Sequence, residues 1–125
     1  MSEFHIACLN QNIKEIIYFL TKNKDPLASI KGTRFSTPLE LFIWNSNNLE
    51  YEDILNLTIE IIKNKREQRK ALSIVQKFRE HLIKKEELFY SDDRNDKIKL
   101  RRLGGWYVQD KNALKTVNNI IKELD

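Results

Sequence analysis

The chain has 125 residues, 22 Lys+Arg against 18 Asp+Glu, 41% apolar residues and 10% aromatics, but only 3 Gly, 2 Pro and 1 Cys. That length suits one domain, 1–125. The scarcity of turn formers argues against a many-turned sandwich or barrel, and a single Cys excludes a disulfide framework and a thiolate zinc site. No apolar run approaches the roughly 20 residues of a membrane span, and no charged-then-apolar leader starts the chain. The expectation is a mostly helical, soluble, cytoplasmic (intracellular) protein with no membrane partner. Lys (15), Ile (15) and Asn (12) together supply 42 residues, the coding bias of an A/T-rich genome, so the net charge of +4 carries less weight than usual.

In chain order, Phe4-His5-Ile6-Ala7-Cys8-Leu9 is a short apolar stretch closed by Asn10-Gln11-Asn12. Ile13, Ile16, Ile17 and Leu20 then follow at i, i+3, i+4 and i+7, one face of an amphipathic helix. Asp25-Pro26 reads as a turn. Leu27 to Ser36, containing Gly32, reads as an extended loop or small hairpin. Thr37-Pro38 looks like a helix start, Thr capping with its hydroxyl and Pro tolerated at the first position. Leu39, Leu41, Phe42, Ile43 and Trp44 follow, and Ile54 to Ile62 makes a second helix apolar nearly all round, the type expected between two layers and hence the most buried.

A short helix, a polar turn and a longer helix thus occur twice, at a spacing of about 35 residues that marks a solenoid. Thr37-Pro38-Leu39-Glu40-Leu41 resembles the Thr-Pro-Leu-His-Leu opening of the ankyrin repeat, with Glu40 at the His position. The first copy, Ser2-Glu3-Phe4-His5-Ile6-Ala7-Cys8, keeps the His and the small pair but lacks Thr-Pro. It ends Asn23-Lys24-Asp25 where the family shows Gly-Ala-Asp. In the second copy Phe42-Ile43 replaces the small pair and the linker from Asn45 to Glu52 is long. The resemblance spans residues 2–65. It implies a non-enzymatic protein-binding module with no cofactor, small enough to dock on and inhibit a larger partner, as degenerate ankyrin proteins of viruses, phages and intracellular bacteria do. The surface it implies is Lys31, Arg34 and Phe35 at a loop tip, with Glu40 and Trp44 on the second short helix.

Two repeats are too few for a stable solenoid, so residues 66–125 are expected to cap the stack. An incompletely capped stack would also favour self-association. A helix from Arg66 to Lys84 carries Ala71, Ile74, Val75, Phe78 and Leu82 on one face. Lys97 to Leu103 is either a helix capped by Asp96 and ended by Gly104, or the first strand of a short β-hairpin over 97–109 turning at Gly104-Gly105. Asp110 is expected to cap a last helix striped by Leu114, Val117, Ile120, Ile121 and Leu124. The fold class is all-α: two ankyrin-like hairpins stacked on a helical cap.

The candidates for chemistry are few. His5 and His81 lack partners at ligand spacing, Cys8 reads as a small buried hydrophobe, and Asp92-Asp93-Asp96 fails the calcium-loop pattern at the Gly and the final Glu. Gly104-Gly105 lacks the Lys-Ser/Thr of a phosphate loop. Charge placement is the remaining signal. Residues 64–103 hold 13 Lys+Arg and 7 Asp+Glu, net +6, against 9 and 11 elsewhere. On one helix, Arg66, Lys70, Lys77 and Lys84 fall within about 40° of each other, and Arg101 and Arg102 lie close in sequence to Trp106 and Tyr107. This basic ridge suits an acidic or nucleic-acid-binding partner protein, a nucleic acid itself through phosphate contact and stacking, or a solvated face.

Overall fold

The computed structural model describes residues 2–31 and 37–125, and the described residues form seven helices and no strand: α1 Glu3–Leu9, α2 Ile13–Thr21, α3 Pro38–Trp44, α4 Tyr51–Asn64, α5 Gln68–Tyr90, α6 Arg94–Arg102 and α7 Val108–Leu124. The all-α expectation stands. The hairpin alternative over 97–109 does not, because residues 97–102 are helical. The hairpin alternative for Leu27 to Ser36 falls partly on residues 32–36, outside the described residues.

The helix starts follow from local chemistry. Ser2 Oγ accepts the His5 N–H at 3.2 Å, Asn12 Oδ1 that of Glu15 at 3.3 Å, and Thr37 Oγ1 that of Glu40 at 3.4 Å, with Pro38 in the first turn. Asp93, three residues earlier than the sequence suggested, caps α6 through the Asn95 N–H at 2.8 Å. The helix ends are equally regular. α1, α2, α4 and α6 each close with a residue of positive φ: Gln11 (55°), Asn23 (63°), Arg66 (56°) and Gly104 (92°). In each case the next amide reaches back to the third-last carbonyl of the helix. The bonds run from Asn12 to Ala7 at 3.0 Å, Lys24 to Phe19 at 3.1 Å, Glu67 to Ile62 at 2.9 Å and Gly105 to Leu100 at 2.8 Å. Three of these four corners are made without glycine, so the low Gly count understates how often the chain turns.

One core runs through the molecule, from Phe4, Ala7 and Cys8 through Leu39, Phe42 and Tyr51 to Val75, Leu82, Val117 and Ile120. α1 packs on α2 and α3, α2 on α4, and α3 on α4, while α5 and α7 form the most extensive pair and cover α3 and α4. The central element is α3, not α4: six of its seven residues are buried. α4 keeps Glu52, Asp53, Asn56 and Glu60 exposed on one side, which corrects the expectation of a helix surrounded by core. α6 contacts only α5 among the described elements and seats a single residue, Leu100.

Candidate binding surface

α5 is 23 residues long, roughly 34 Å at 1.5 Å per residue, and continues to Tyr90 rather than ending at Lys84. Its inward stripe is Ala71, Val75, Phe78, Leu82, Lys85 and Leu88, so a lysine sits at a core position. Lys85 Nζ meets Asp110 Oδ2 at 2.8 Å with the two side chains 1% and 2% exposed. Asp110 also accepts the Trp44 indole N–H at 3.1 Å and the Tyr107 backbone N–H at 3.0 Å. The Lys85 ammonium lies 5.6 Å from the centroid of the Tyr107 ring. Asp110 therefore does not head α7 as its cap. It stands one turn inside and reaches back to the capping residue Tyr107. One carboxylate joins α3, α5 and the α6–α7 joint, and its charge is matched by a buried cation. A second polar bridge holds α7 to the chain after α3: Ser46 Oγ lies 2.7 Å from Thr116 Oγ1 and accepts from Asn112 Nδ2 at 2.9 Å.

Beside this hub lies a cleft of about 650 Å³, walled by Trp44, Ile74 and Phe78, with Lys77, His81 and Arg102 on the α5 and α6 sides. Asp110, Thr37 and Glu40 complete the α3 and α7 sides, and Glu40 accepts from the Thr37 hydroxyl at 3.2 Å.

The second feature is the end of the molecule built by the C-terminus of α5, α6 and the start of α7. Of the ten large hydrophobic residues exposed among the described residues, six fall between 89 and 108: Phe89, Tyr90, Ile98, Leu103, Tyr107 and Val108, the last 82% exposed. Five cations share this stretch, Arg94, Lys97, Lys99, Arg101 and Arg102. At about 100° per residue, Leu100 points α6 at α5, Lys97 lies about 60° from it on the α5 side, and Arg94, Ile98 and Arg101 fan over the other side. Lys97 Nζ hydrogen-bonds the Phe89 carbonyl, capping the last turn of α5, and lies 5.3 Å from the Phe89 ring centroid. Ser91 Oγ donates to Asp96 Oδ2 at 2.6 Å, so the acidic loop is used in joining α5 to α6. Among the described residues no group of three or more His, Cys, Asp or Glu side chains could hold a metal ion.

The sequence-derived candidates divide between these features. Glu40, Trp44, Lys77 and Arg102 converge on the cleft; Glu40 is buried and Trp44 half-buried, so neither belongs to an open tip surface. Arg101, Arg102 and Tyr107 belong to the exposed end, with Trp106 half-buried beside them in the chain. Lys84 is exposed on α5, and Lys70 lies 4.0 Å from Glu67. Arg66 does not extend the ridge: it precedes α5 and its left-handed backbone ends the helical register there. Lys31 is exposed, while Arg34 and Phe35 lie outside the described residues. Sequence reasoning missed Lys85 and Asp110 as partners. The available signal was Lys85 at the spacing of the stripe, three residues after Leu82 and three before Leu88. Burial also pushes the Cys8 thiol up to about 12, which keeps it protonated and unreactive at neutral pH.

Among the described residues, no helix is long and apolar enough to cross a membrane. The structure defines an all-helical protein with a braced interior and one mixed basic and apolar end. Comparison with protein-family models, curated proteins and solved structures finds no match to this chain.

Proposed function

We propose that the protein is a non-enzymatic binding module that docks on a larger, acidic protein through the end formed by α6 and its flanks, and that it acts by covering that partner's surface. The observation that carries this reading is the concentration of exposed apolar side chains among cations between residues 89 and 108. Exposed apolar clusters rimmed by polar groups mark protein contacts, and Tyr, Phe and Arg are enriched in interfaces. A nucleic-acid surface would use the same cations, but Ile98, Leu103 and Val108 have nothing to gain from a phosphate backbone. In this reading residues 2–65 are an ankyrin-like scaffold, supported by the Thr37-Pro38 start and by the packing of α1 on α2 and of α3 on α4.

The test is a photo-crosslinking amino acid at Ile98 or Val108, with Glu52 on the exposed side of α4 as control. In source cells, a single discrete protein adduct at 98 and 108, absent at 52 and resistant to nuclease, supports the reading. Adducts that vanish with nuclease favour the nucleic-acid alternative, and identical adducts at all three positions refute a localised surface.

A further inference from the structure

We propose that, when the larger partner is absent, the free side of α6 docks on α4 of a second copy, so that chains associate head to tail. The inference rests on the reading of α6 as a docking surface and names a second ligand for it, one that keeps the surface covered until the partner displaces it. On α6 the contact is made by Arg94, Ile98 and Arg101, all exposed. Neither arginine forms an ion pair among the described residues. A symmetric contact between two α6 helices would set arginines against arginines, which is repulsive.

The complementary surface lies elsewhere on the same chain. Glu52, Asp53 and Glu60 are exposed on α4, within about 100° of one another around the helix. None of the three is in an ion pair among the described residues, and the cation at the far end of the stripe, Lys63, is matched by Glu123 at 3.3 Å. Half-buried Leu57 runs along the margin of the stripe. The spacing fits as well as the charge. Arg94, Ile98 and Arg101 stand at i, i+4 and i+7, and so do Asp53, Leu57 and Glu60. Each set spans about 10.5 Å along its helix. Laid alongside in parallel, Arg94 meets Asp53, Ile98 meets Leu57 and Arg101 meets Glu60, so opposite charges flank an apolar pair. The guanidinium fork suits both carboxylates.

One chain cannot satisfy both faces by itself, because α4 and α6 are not in contact within the molecule. The two faces differ, so the contact is heterologous, and joined chains close into a ring or stay open. A contact through one nine-residue helix falls at the small, weak end of protein interfaces, with a dissociation constant of about 0.1 mM. In cells the tighter partner displaces so weak a contact, and Glu52 still serves as the crosslinking control.

The experiment is sedimentation velocity of the purified full-length chain from about 10 μM to about 1 mM, a range that brackets the expected constant. The average mass of the parent should rise with concentration. Arg94→Ala/Ile98→Ala/Arg101→Ala and Asp53→Ala/Glu60→Ala should each associate at least about tenfold more weakly. All five side chains are exposed and alanine favours helix, so both variants keep their fold, checked by circular dichroism. Each variant retains the face that the other has lost. An equimolar mixture should therefore form a two-chain species and nothing larger. A parent that stays at the mass of one chain throughout, a variant that associates like the parent, or a mixture that behaves as its separate components would overturn the proposal. With no partner present, none of these outcomes bears on the crosslinks at Ile98 and Val108, and failure of those crosslinks would leave the sedimentation result untouched.

Discussion

Asp110→Ala should be the most damaging single substitution in the chain. The carboxylate receives three donors, Lys85 Nζ at 2.8 Å, Trp44 Nε1 at 3.1 Å and the Tyr107 N–H at 3.0 Å. Removing it strands a fully buried ammonium, which costs about 3–5 kcal/mol. The lost cap adds about 1 kcal/mol and the lost indole bond about 1 kcal/mol more. A domain of this size is stable by about 5–15 kcal/mol in total, so the variant should be largely or wholly unfolded in mild denaturant. Lys85→Met is the informative companion. It removes the cation with little change of shape and leaves Asp110 two of its donors, so the loss should lie near 3 kcal/mol. With urea slopes of about 1–3 kcal/mol per M, that loss lowers the unfolding midpoint by about 1–3 M. The double variant Lys85→Met/Asp110→Ala leaves no buried charge, and it should be more stable than the sum of the singles implies by at least about 2 kcal/mol. Urea unfolding followed by far-UV circular dichroism decides it. Additive losses, or an Asp110→Ala midpoint within error of the parent, would refute the claim that this pair braces the fold.

Two further expectations rest on the same core and corners. Arg66→Gly should stabilise the protein by about 1 kcal/mol, since φ 56° penalises a side chain and not glycine; a lower urea midpoint would show that the Arg66 side chain makes an unrecognised contact. Burial raises Cys8 from 9.0 and Tyr51 from 10.0, each to about 12. Well below pH 9 both groups are protonated in the folded and unfolded chains and stability is complete. As pH climbs from about 9 toward 12, the unfolded chain releases protons that the folded one retains, and stability is lost. Cys8→Ala/Tyr51→Phe should flatten that alkaline slope relative to the parent, and parallel slopes would contradict the burial.

The start of α3 was legible because it depends on neighbours in sequence: Thr37 before Pro38 announces its cap, whereas the caps expected at Asp96 and Asp110 fall instead at Asp93 and Tyr107. The amphipathic stripes of α2, α5 and α7 were legible for the same reason. The helix ends, apart from Gly104 after α6, were not. A left-handed corner is cheapest in glycine, yet Gln11, Asn23 and Arg66 adopt it because the returning hydrogen bonds offset the strain. That is also why Arg66 looked like the first member of a ridge on α5. α4 read as apolar all round because Leu57 and Ile59 are half-buried at its margins, while Glu52, Asp53, Asn56 and Glu60 cluster on the side that no helix covers. The pairing of Lys85 with Asp110 spans 25 residues and depends on how α7 returns along α5, which periodicity does not report. The cleft was half visible, since Glu40, Trp44, Lys77 and Arg102 were each singled out. Only packing puts them around one space.

The docking surface is the central claim, and a charge and apolar swap confined to α6 tests it most directly. Arg94→Glu, Ile98→Glu and Arg101→Glu alter side chains exposed on the free face of α6, where substitutions cost little stability, within about 0.5 kcal/mol each. The measurement is the affinity of the triple variant for the protein partner identified by crosslinking, by titration calorimetry at two salt concentrations. The account expects a loss of at least about a hundredfold, roughly 2.7 kcal/mol. That loss should persist at high salt because Ile98 contributes apolar burial as well as charge. Unchanged affinity in a folded triple variant would contradict it and move the partner's contact elsewhere on the molecule.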